Sequence, residues 1–386
     1  MGALVTALKL LNLSNFSLRY FLYGIILVLT ASCGLDDEAS IPETIDLEVI
    51  PDSKGIMFVS QPISQDSNLA ELWLYDTQQG KASNILTGLE IDSYPVYAGD
   101  KVLIIERGSS GAKLRVFDPG SRSVGDSMAL PNVADGDPWG AAFLGGSSYA
   151  LFNRTAGNLT VAEISDGVVA TQVIYSADVG LPYFHPVAIW QSSGDDFYVL
   201  SQGREFKSYG NSYIMKFSWI DGKLNFEGDK LEVSASLASN FLNVVDSRAL
   251  LVGLCPTIDS ECKQGAYAID FSASLATGLS VPGGVNFYDS FISHSGFLVF
   301  GSFLEQASGS HKVGKFDLSL GSKTDIYTYS NTSDRLYFKS YFLSSDTLIL
   351  GDEDAGQGKI IMVSGDGSSL RSYDFDQRPY RATVIP

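Results

Sequence analysis

The sequence predicts an all-β protein built as a closed ring of repeated sheets, a β-propeller of seven four-stranded blades. Three observations predict it. Short apolar, β-rich runs recur seven times along the chain; each is followed by a second, mostly alternating strand that ends at Asp or Ser; and no stretch of the repeat shows a helical period.

The first runs are Ile56–Val59, Val102–Ile105, Tyr149–Phe152, Phe197–Leu200, Ala249–Val252, Phe297–Phe300 and Thr347–Leu350. A turn of small or polar residues precedes each, as at Asp52-Ser53-Lys54-Gly55 or Ser192-Ser193-Gly194-Asp195. The second strands are Leu72–Asp76, Leu114–Asp118, Thr160–Ser165, Ile214–Ser218, Ala266–Asp270, Val313–Asp317 and Ile360–Ser364. A glycine commonly follows (Gly80, Gly120, Gly167, Gly222, Gly321, Gly367). The Asp/Ser ends fall at 76, 118, 165, 218, 270, 317 and 364, intervals of 42 to 53 that average 48 residues. One four-stranded sheet cannot bury both faces alone, so units of this length stack face to face and a closed ring protects the ends. Counts of six or eight stay open, because the first and last units are the least regular. The last unit already has four candidate strands, ending near Tyr373, yet the chain continues as Arg378–Pro386. That segment resembles Leu47–Pro51, so one is expected to complete the sheet the other begins.

The residues before the repeat read as an address. Positions 1–33 hold Lys9 and Arg19 and no acid, then the apolar run Tyr20–Leu29, then Thr30-Ala31-Ser32-Cys33. A basic start, a short apolar stretch and small residues make a secretory signal. The run is shorter than the roughly 20 residues needed to span a bilayer. Leu29-Thr30-Ala31-Ser32-Cys33 resembles the bacterial lipobox, with Thr30 where leucine usually stands. The resemblance implies cleavage before Cys33, lipidation of Cys33 and stable membrane attachment, since several acyl chains anchor where one is marginal. Gly34 after the cysteine then implies the outer membrane, and Asp36-Asp37-Glu38 is similar to acidic stretches that route lipoproteins to the cell surface. The expected organisation is a signal peptide over 1–32, a lipidated Cys33 and acidic tether over 33–45, and the propeller over 46–386. Over those last residues the repeat resembles the WD40-like, YVTN-like and PQQ-repeat propellers of envelope lipoproteins.

Charge and cysteine content fit this placement. The chain has 26 Lys+Arg against 44 Asp+Glu, a net charge of −18; losing Lys9 and Arg19 with the signal takes it to −20. Such a surface excludes sequence-independent binding to nucleic acid. Of three cysteines, Cys33 is assigned to lipid. Cys255 and Cys262 remain, separated by a polar loop with Pro256. Outside the cytoplasm a disulfide is the expected state of that pair, because neither a fuller metal-ligand set nor a Cys-x-x-Cys motif accompanies it.

No catalytic constellation is expected. His185, His294 and His311 fall at non-equivalent places in different units, and no His-x-Glu-x-His, Gly-x-Ser-x-Gly or P-loop pattern occurs. Asp352-Glu353-Asp354 is spaced like the start of a Ca²⁺ loop, but Val363 stands where the closing Glu would be. It reads as a solvated acidic hairpin, with Ca²⁺ at Asp352 and Asp354 the weaker reading and no other cofactor expected. The coherent feature is positional. Every segment entering an innermost strand carries an aromatic, and several add an acid, His or Arg. The candidate face is thus Asp92, Tyr94, Asp137, Trp139, Tyr183, His185, Phe241, Tyr288, Asp289, Arg335, Tyr337 and Tyr380. Aromatics with a few polar groups around one mouth suit a ligand or partner; the same rings could instead pack between blades. Two functions follow. The first is a non-catalytic binding or scaffold lipoprotein for a protein, peptide or glycan of the envelope. The alternative is an extracytoplasmic lactonase, lyase or glycan-acting hydrolase using Asp92, Asp137 and Asp289 with His185 or Arg335.

Overall fold

Unbroken apolar runs such as Val102–Ile105 demand burial on both faces of a sheet, and the computed structural model shows how that is met. It describes residues 55–385 except 62–68, 77–80, 91–92, 109–110, 131–137, 154–155, 193, 203, 206–207, 210, 235–241, 246–247, 253–264, 330–338, 343–345, 355–356 and 376, with further side chains near these gaps also outside the description. Seven four-stranded antiparallel blades form a β-propeller.

Blade 1 contains β1 (Gly55–Gln61), β2 (Leu69–Asp76) and β3 (Lys81–Glu90). Blade 2 is β4 (Tyr94–Ala98), β5 (Lys101–Gly108) and β6 (Gly111–Asp118), edged by the short β7 (Ser123–Val124) and β8 (Met128–Ala129). Blade 3 is β9 (Pro138–Gly145), β10 (Ser148–Asn153), β11 (Asn158–Ile164) and β12 (Val168–Tyr175). Blade 4 begins with β13 (Pro186–Gln191) and β14 (Asp196–Ser201), inserts a small hairpin, β15 (Arg204–Glu205) and β16 (Ser208–Tyr209), and ends with β17 (Ser212–Ile220) and β18 (Lys223–Val233). Blade 5 is β19 (Leu242–Val245), β20 (Arg248–Val252), β21 (Ala266–Asp270) and β22 (Leu275–Leu279). Blade 6 is β23 (Val285–Ser295), β24 (Leu298–Glu305), β25 (His311–Asp317) and β26 (Ser322–Thr328). Blade 7 is β27 (Lys339–Phe342), β28 (Thr347–Asp354), β29 (Gln357–Ser364) and β30 (Leu370–Phe375). The chain then returns as β31 (Arg378–Ile385), the innermost strand of blade 1, antiparallel to β1 from Gly55↔Ile385 to Gln61↔Arg378. The C-terminal segment therefore completes the first sheet as expected; its counterpart Leu47–Pro51 lies outside the described residues.

The core consists of seven apolar clusters, one between each pair of neighbouring blades. Alternate residues of one strand serve alternate clusters. In blade 2, Val102 and Ile104 pack with Met57 and Val59 of blade 1. Leu103 and Ile105 pack with Tyr149 and Leu151 of blade 3. The same division continues through blades 3 to 6, and Phe300 meets Leu348 and Leu350 at the interface of blades 6 and 7. The seventh cluster, Ile56, Phe58 and Tyr75 with Ile349 and Ile360, joins blade 7 back to blade 1 and closes the ring. Trp190, Tyr198 and Phe271 stack across blades 4 and 5, with centroids 4.1 to 5.5 Å apart.

The Asp that ends so many third strands has a local task. Asp118 Oδ1 accepts from the Gly120 and Ser121 amides, Asp270 Oδ1 from the Ala273 amide and Asp317 Oδ1 from the Ser319 and Leu320 amides; in blade 7, where Ser364 ends the strand, Asp366 in the following turn takes the part, its Oδ1 accepting from the Ser368 amide. These bonds satisfy corner amides and explain why Asp marks the repeat. They also hold carboxyls below their ordinary range: Asp118 chiefly through its bond from Lys101, Asp270 chiefly through Ser272, and Asp366 to about 2, chiefly through Ser364. A depressed folded-state pKa contributes stability above the unfolded value of 3.8 and loses it as pH falls through the folded value. The melting temperature is accordingly expected to fall between about pH 4 and about pH 2. Asp366→Ala should make that fall shallower in a series of thermal melts.

Candidate functional site

The strand directions define two ends of the ring. Inner strand β4 runs from Tyr94, opposite Ile105, down to Ala98, opposite Lys101. Connections between blades, and those between second and third strands, therefore share one end, the mouth. The tight turns between first and second and between third and fourth strands share the other end, where β1 enters beside Ile385. Val252↔Ala266 is the mouth end of the β20–β21 hairpin; Cys255 and Cys262, between these strands in sequence, lie outside the described residues.

Just below the mouth the apolar second strands turn polar at one shared position. Counting from the first interface residue of each strand, the fifth position holds Ser60, Glu106, Asn153, Ser201 and Asp352, all 4% exposed or less. Blade 6 places Phe303 there, also fully buried. By strand alternation this position faces the preceding blade. Neighbours engage these groups, although Asn153 Oδ1 is buried with no hydrogen-bond partner among the described residues. Arg115 Nε donates to Glu106 Oε1 at 2.7 Å. The Tyr327 hydroxyl of blade 6 donates to Asp352 Oδ2 of blade 7 at 2.6 Å. Asn153 Nδ2 donates to Asn158 Oδ1 and Thr160 Oγ1 at 2.7 and 3.0 Å. Ser201 Oγ accepts from the His185 amide at 3.0 Å. The sequence carried four of these residues in plain view, Ser60, Glu106, Asn153 and Ser201, each directly after an apolar run, but a polar residue there ordinarily reads as the end of burial; Asp352 comes one residue later, after Gly351. Asp352 corrects the expectation of a solvated acidic hairpin: it sits in β28, fully buried and bonded by Tyr327, and Asp354 follows at the strand's end with its side chain outside the description. Among the described residues no three His, Cys, Asp or Glu side chains converge to hold a metal.

The predicted face is partly assembled. Asp92, Asp137, Phe241, Arg335, Tyr337 and Cys33 lie outside the described residues. Trp139 lies in β9, and Tyr288 and Asp289 in β23, with side chains outside the description. Tyr183 is 43% exposed on the connection into blade 4. His185 follows, half-buried, its carbonyl accepting from the Gln202 amide at 2.8 Å. Tyr94 and Tyr380 are brought together. Tyr94 is buried among Leu103, Ile105 and Leu151, so its ring packs between blades 2 and 3. The Arg381 guanidinium lies 5.2 Å from the Tyr94 ring and 5.1 Å from the Tyr380 ring, and Arg107 lies 5.5 Å from Tyr94. The Tyr97 amide donates to Thr383 Oγ1 at 3.0 Å, fixing β4 against β31 at this level.

Arg381 and Arg107 were not singled out by sequence reasoning. Phe58 pairs with Ala382 and Val59 with Tyr380, so Arg381 is the extra residue of a β-bulge, with φ of 45°. A non-glycine residue in that region is uncommon, and nothing in Tyr380-Arg381-Ala382 announces it; the bulge is a property of the pairing.

No family model matches the chain, and no curated protein matches it. Solved structures do. A Bacteroides fragilis protein described as a candidate 6-phosphogluconolactonase is 15% identical at a TM-score of 0.59, covering 88% of this chain and 100% of its own. A Lactobacillus plantarum protein is 13% identical at 0.59, covering 86% and 100%. The β-propeller domain of the Pyrococcus furiosus Trilobed protease, described as having an open velcro topology, is 12% identical at 0.50, covering 83% and 94%. At these identities the likeness is one of fold.

Proposed function

We propose that this chain is a lipid-anchored envelope protein whose propeller mouth is a non-catalytic binding surface for a protein, peptide or glycan partner. The observation that carries the binding reading is the chemistry around the mouth. The buried carboxylates Glu106 and Asp352 are engaged by Arg115 and Tyr327; among the described residues nearer the mouth, Tyr183 is exposed, and the half-buried Arg107, Arg381 and Tyr380 gather around the buried Tyr94 ring. Tyr and Arg are the residues most enriched where interfaces concentrate their energy. The anchor rests on the lipobox-like Leu29–Cys33, and Gly34 supports the outer membrane. The partner class stays as the fold allows, since propellers of one shape host many tasks.

The test is a pull-down of the mature protein from detergent-solubilised envelope. One stoichiometric partner supports the scaffold; no partner, together with turnover of a sugar lactone or glycan, overturns it. In parallel, Cys33→Ser is expected to abolish acyl labelling and release the protein from the membrane fraction. Unchanged labelling in Cys33→Ser would remove the anchor from the proposal.

A further inference from the structure

We propose that the end of the propeller opposite the mouth is a membrane-contact face, on which an arc of apolar side chains dips into the phospholipid surface that carries the anchor. The inference goes beyond the binding reading above and rests on its lipid anchor for the choice of occupant.

Exposed apolar residues scattered singly need no explanation, but here they are not scattered. Among the described residues eight large apolar side chains are exposed, and five of them, Val169, Ile220, Leu275, Leu320 and Leu370, share one place in the repeat. Each follows the Asp or Ser that closes its third strand by two to six positions. Each therefore lies at or beside the turn between third and fourth strands, in blades 3, 4, 5, 6 and 7 in succession. All these turns are at the end of the ring where β1 begins. Leu320 is 76% exposed and Val169 60%. The remaining three, Leu69, Tyr175 and Tyr183, lie toward the mouth and share no such place. At the matching corner of blade 2 stands Arg122, bonded to Asp76, and that of blade 1 lies outside the described residues.

The shape of the arc selects the occupant. The tips sit on separate blades with polar and glycine-containing turns around them. The core of a protein interface needs apolar atoms in one contiguous patch. Separate tips at one level of a ring instead suit a plane, which each enters by itself. The chain supplies the plane. Gly55, the first residue of β1, is at this same end, and Cys33 stands 22 positions earlier. That many residues reach at most about 70–80 Å, so a lipid on Cys33 keeps Gly55 within that distance of the bilayer, and the end that carries Gly55 meets the bilayer by the shortest path. Held there, tips too weak to bind from solution insert as an intramolecular event at high effective concentration. Charge narrows the lipid. These corners also expose Glu163, Asp166, Asp221 and Asp366 against Lys223 and Arg371, so a zwitterionic surface suits them better than an anionic one. Seated this way, the propeller turns its mouth away from the membrane.

The experiment places the full-length protein, purified in detergent, into phosphatidylcholine vesicles. Leu320→Trp puts a reporter on the arc, and Tyr175→Trp puts one toward the mouth. Each is read against the parent, which has four tryptophans of its own. Flotation reports attachment, and quenching by dibrominated phosphatidylcholine reports contact with lipid. The emission added by Leu320→Trp should be quenched by about half, as for a side chain seated ~5–10 Å into the interface, and that added by Tyr175→Trp should not. Adding Ile220→Ser, Leu275→Ser and Leu370→Ser should cut the quenching several-fold and leave the melting temperature in detergent unchanged, which a structural role for these side chains would not allow. Flotation without quenching of the Leu320→Trp reporter, or equal quenching of both reporters, overturns the contact face and leaves the anchor standing. Flotation and quenching undiminished in Cys33→Ser remove the acyl anchor and leave the contact face. A chain that neither floats nor is quenched overturns both. A pull-down partner lost from the four-substitution variant, with no quenching by lipid, gives this face to a protein and overturns the lipid.

Discussion

Deletion of residues 378–386 is expected to abolish the cooperative melting transition. Strand β31 is the inner strand of blade 1, and without it the inner edge of β1 has no partner. Ile56, Met57, Phe58 and Val59 are fully buried at the two interfaces that this blade makes, with blade 7 and with blade 2. Exposing a buried side chain of this size costs about 1.5–3 kcal/mol. Losing a good part of four reaches the ~5–15 kcal/mol that holds a typical domain folded. Ile385, 3% exposed, belongs to the same cluster as Met57 and would be lost outright. Far-UV circular dichroism melts and limited proteolysis read the result. A truncated chain with the parent's transition would show that the ring closes without its last strand. Gly358→Ala should have the same effect by one atom, because a Cβ there collides with the Gln377 carbonyl and comes within 2.9 Å of the Pro379 ring, on the segment that leads into β31.

The parts of the fold that the sequence disclosed are those where a local residue pattern is also the tertiary fact. Val102–Ile105 is continuously apolar because Val102 and Ile104 face one blade while Leu103 and Ile105 face the next. Asp118, Asp270 and Asp317 mark the repeat because each closes its own corner through nearby amides. The site was less accessible to such reading. Tyr94 and Tyr380 stand 286 positions apart, and what joins them is the lateral contact of β4 with β31. Arg381 acquires its direction from a register shift in β1 pairing, which no local propensity encodes. Asp352 looked solvated in Asp352-Glu353-Asp354, yet the Tyr327 hydroxyl arriving from the preceding blade makes a buried carboxylate tolerable.

That polar layer leads to the second large effect: Arg115→Met is expected to destabilise the protein by about 3–5 kcal/mol, the usual cost of orphaning a buried charge. Glu106 has a side chain only 6% exposed, and Arg115 Nε meets it at 2.7 Å. Ser127 Oγ also donates to Glu106 Oε1, at a long 3.5 Å. Below it stand Val102 and Ile104, fully buried, so a carboxylate stripped of Arg115 has apolar neighbours on the core side. Glu106→Gln should cost less, about 1–2 kcal/mol. It leaves a neutral amide, and Arg115, 26% exposed, still reaches solvent. The double variant Glu106→Leu/Arg115→Met should recover most of the loss, because an apolar pair of similar volume often replaces a buried ion pair without penalty. Urea unfolding of the parent and the three variants checks these expectations. A cost near zero for Arg115→Met would mean that water reaches Glu106 and that the layer below the mouth is not dry.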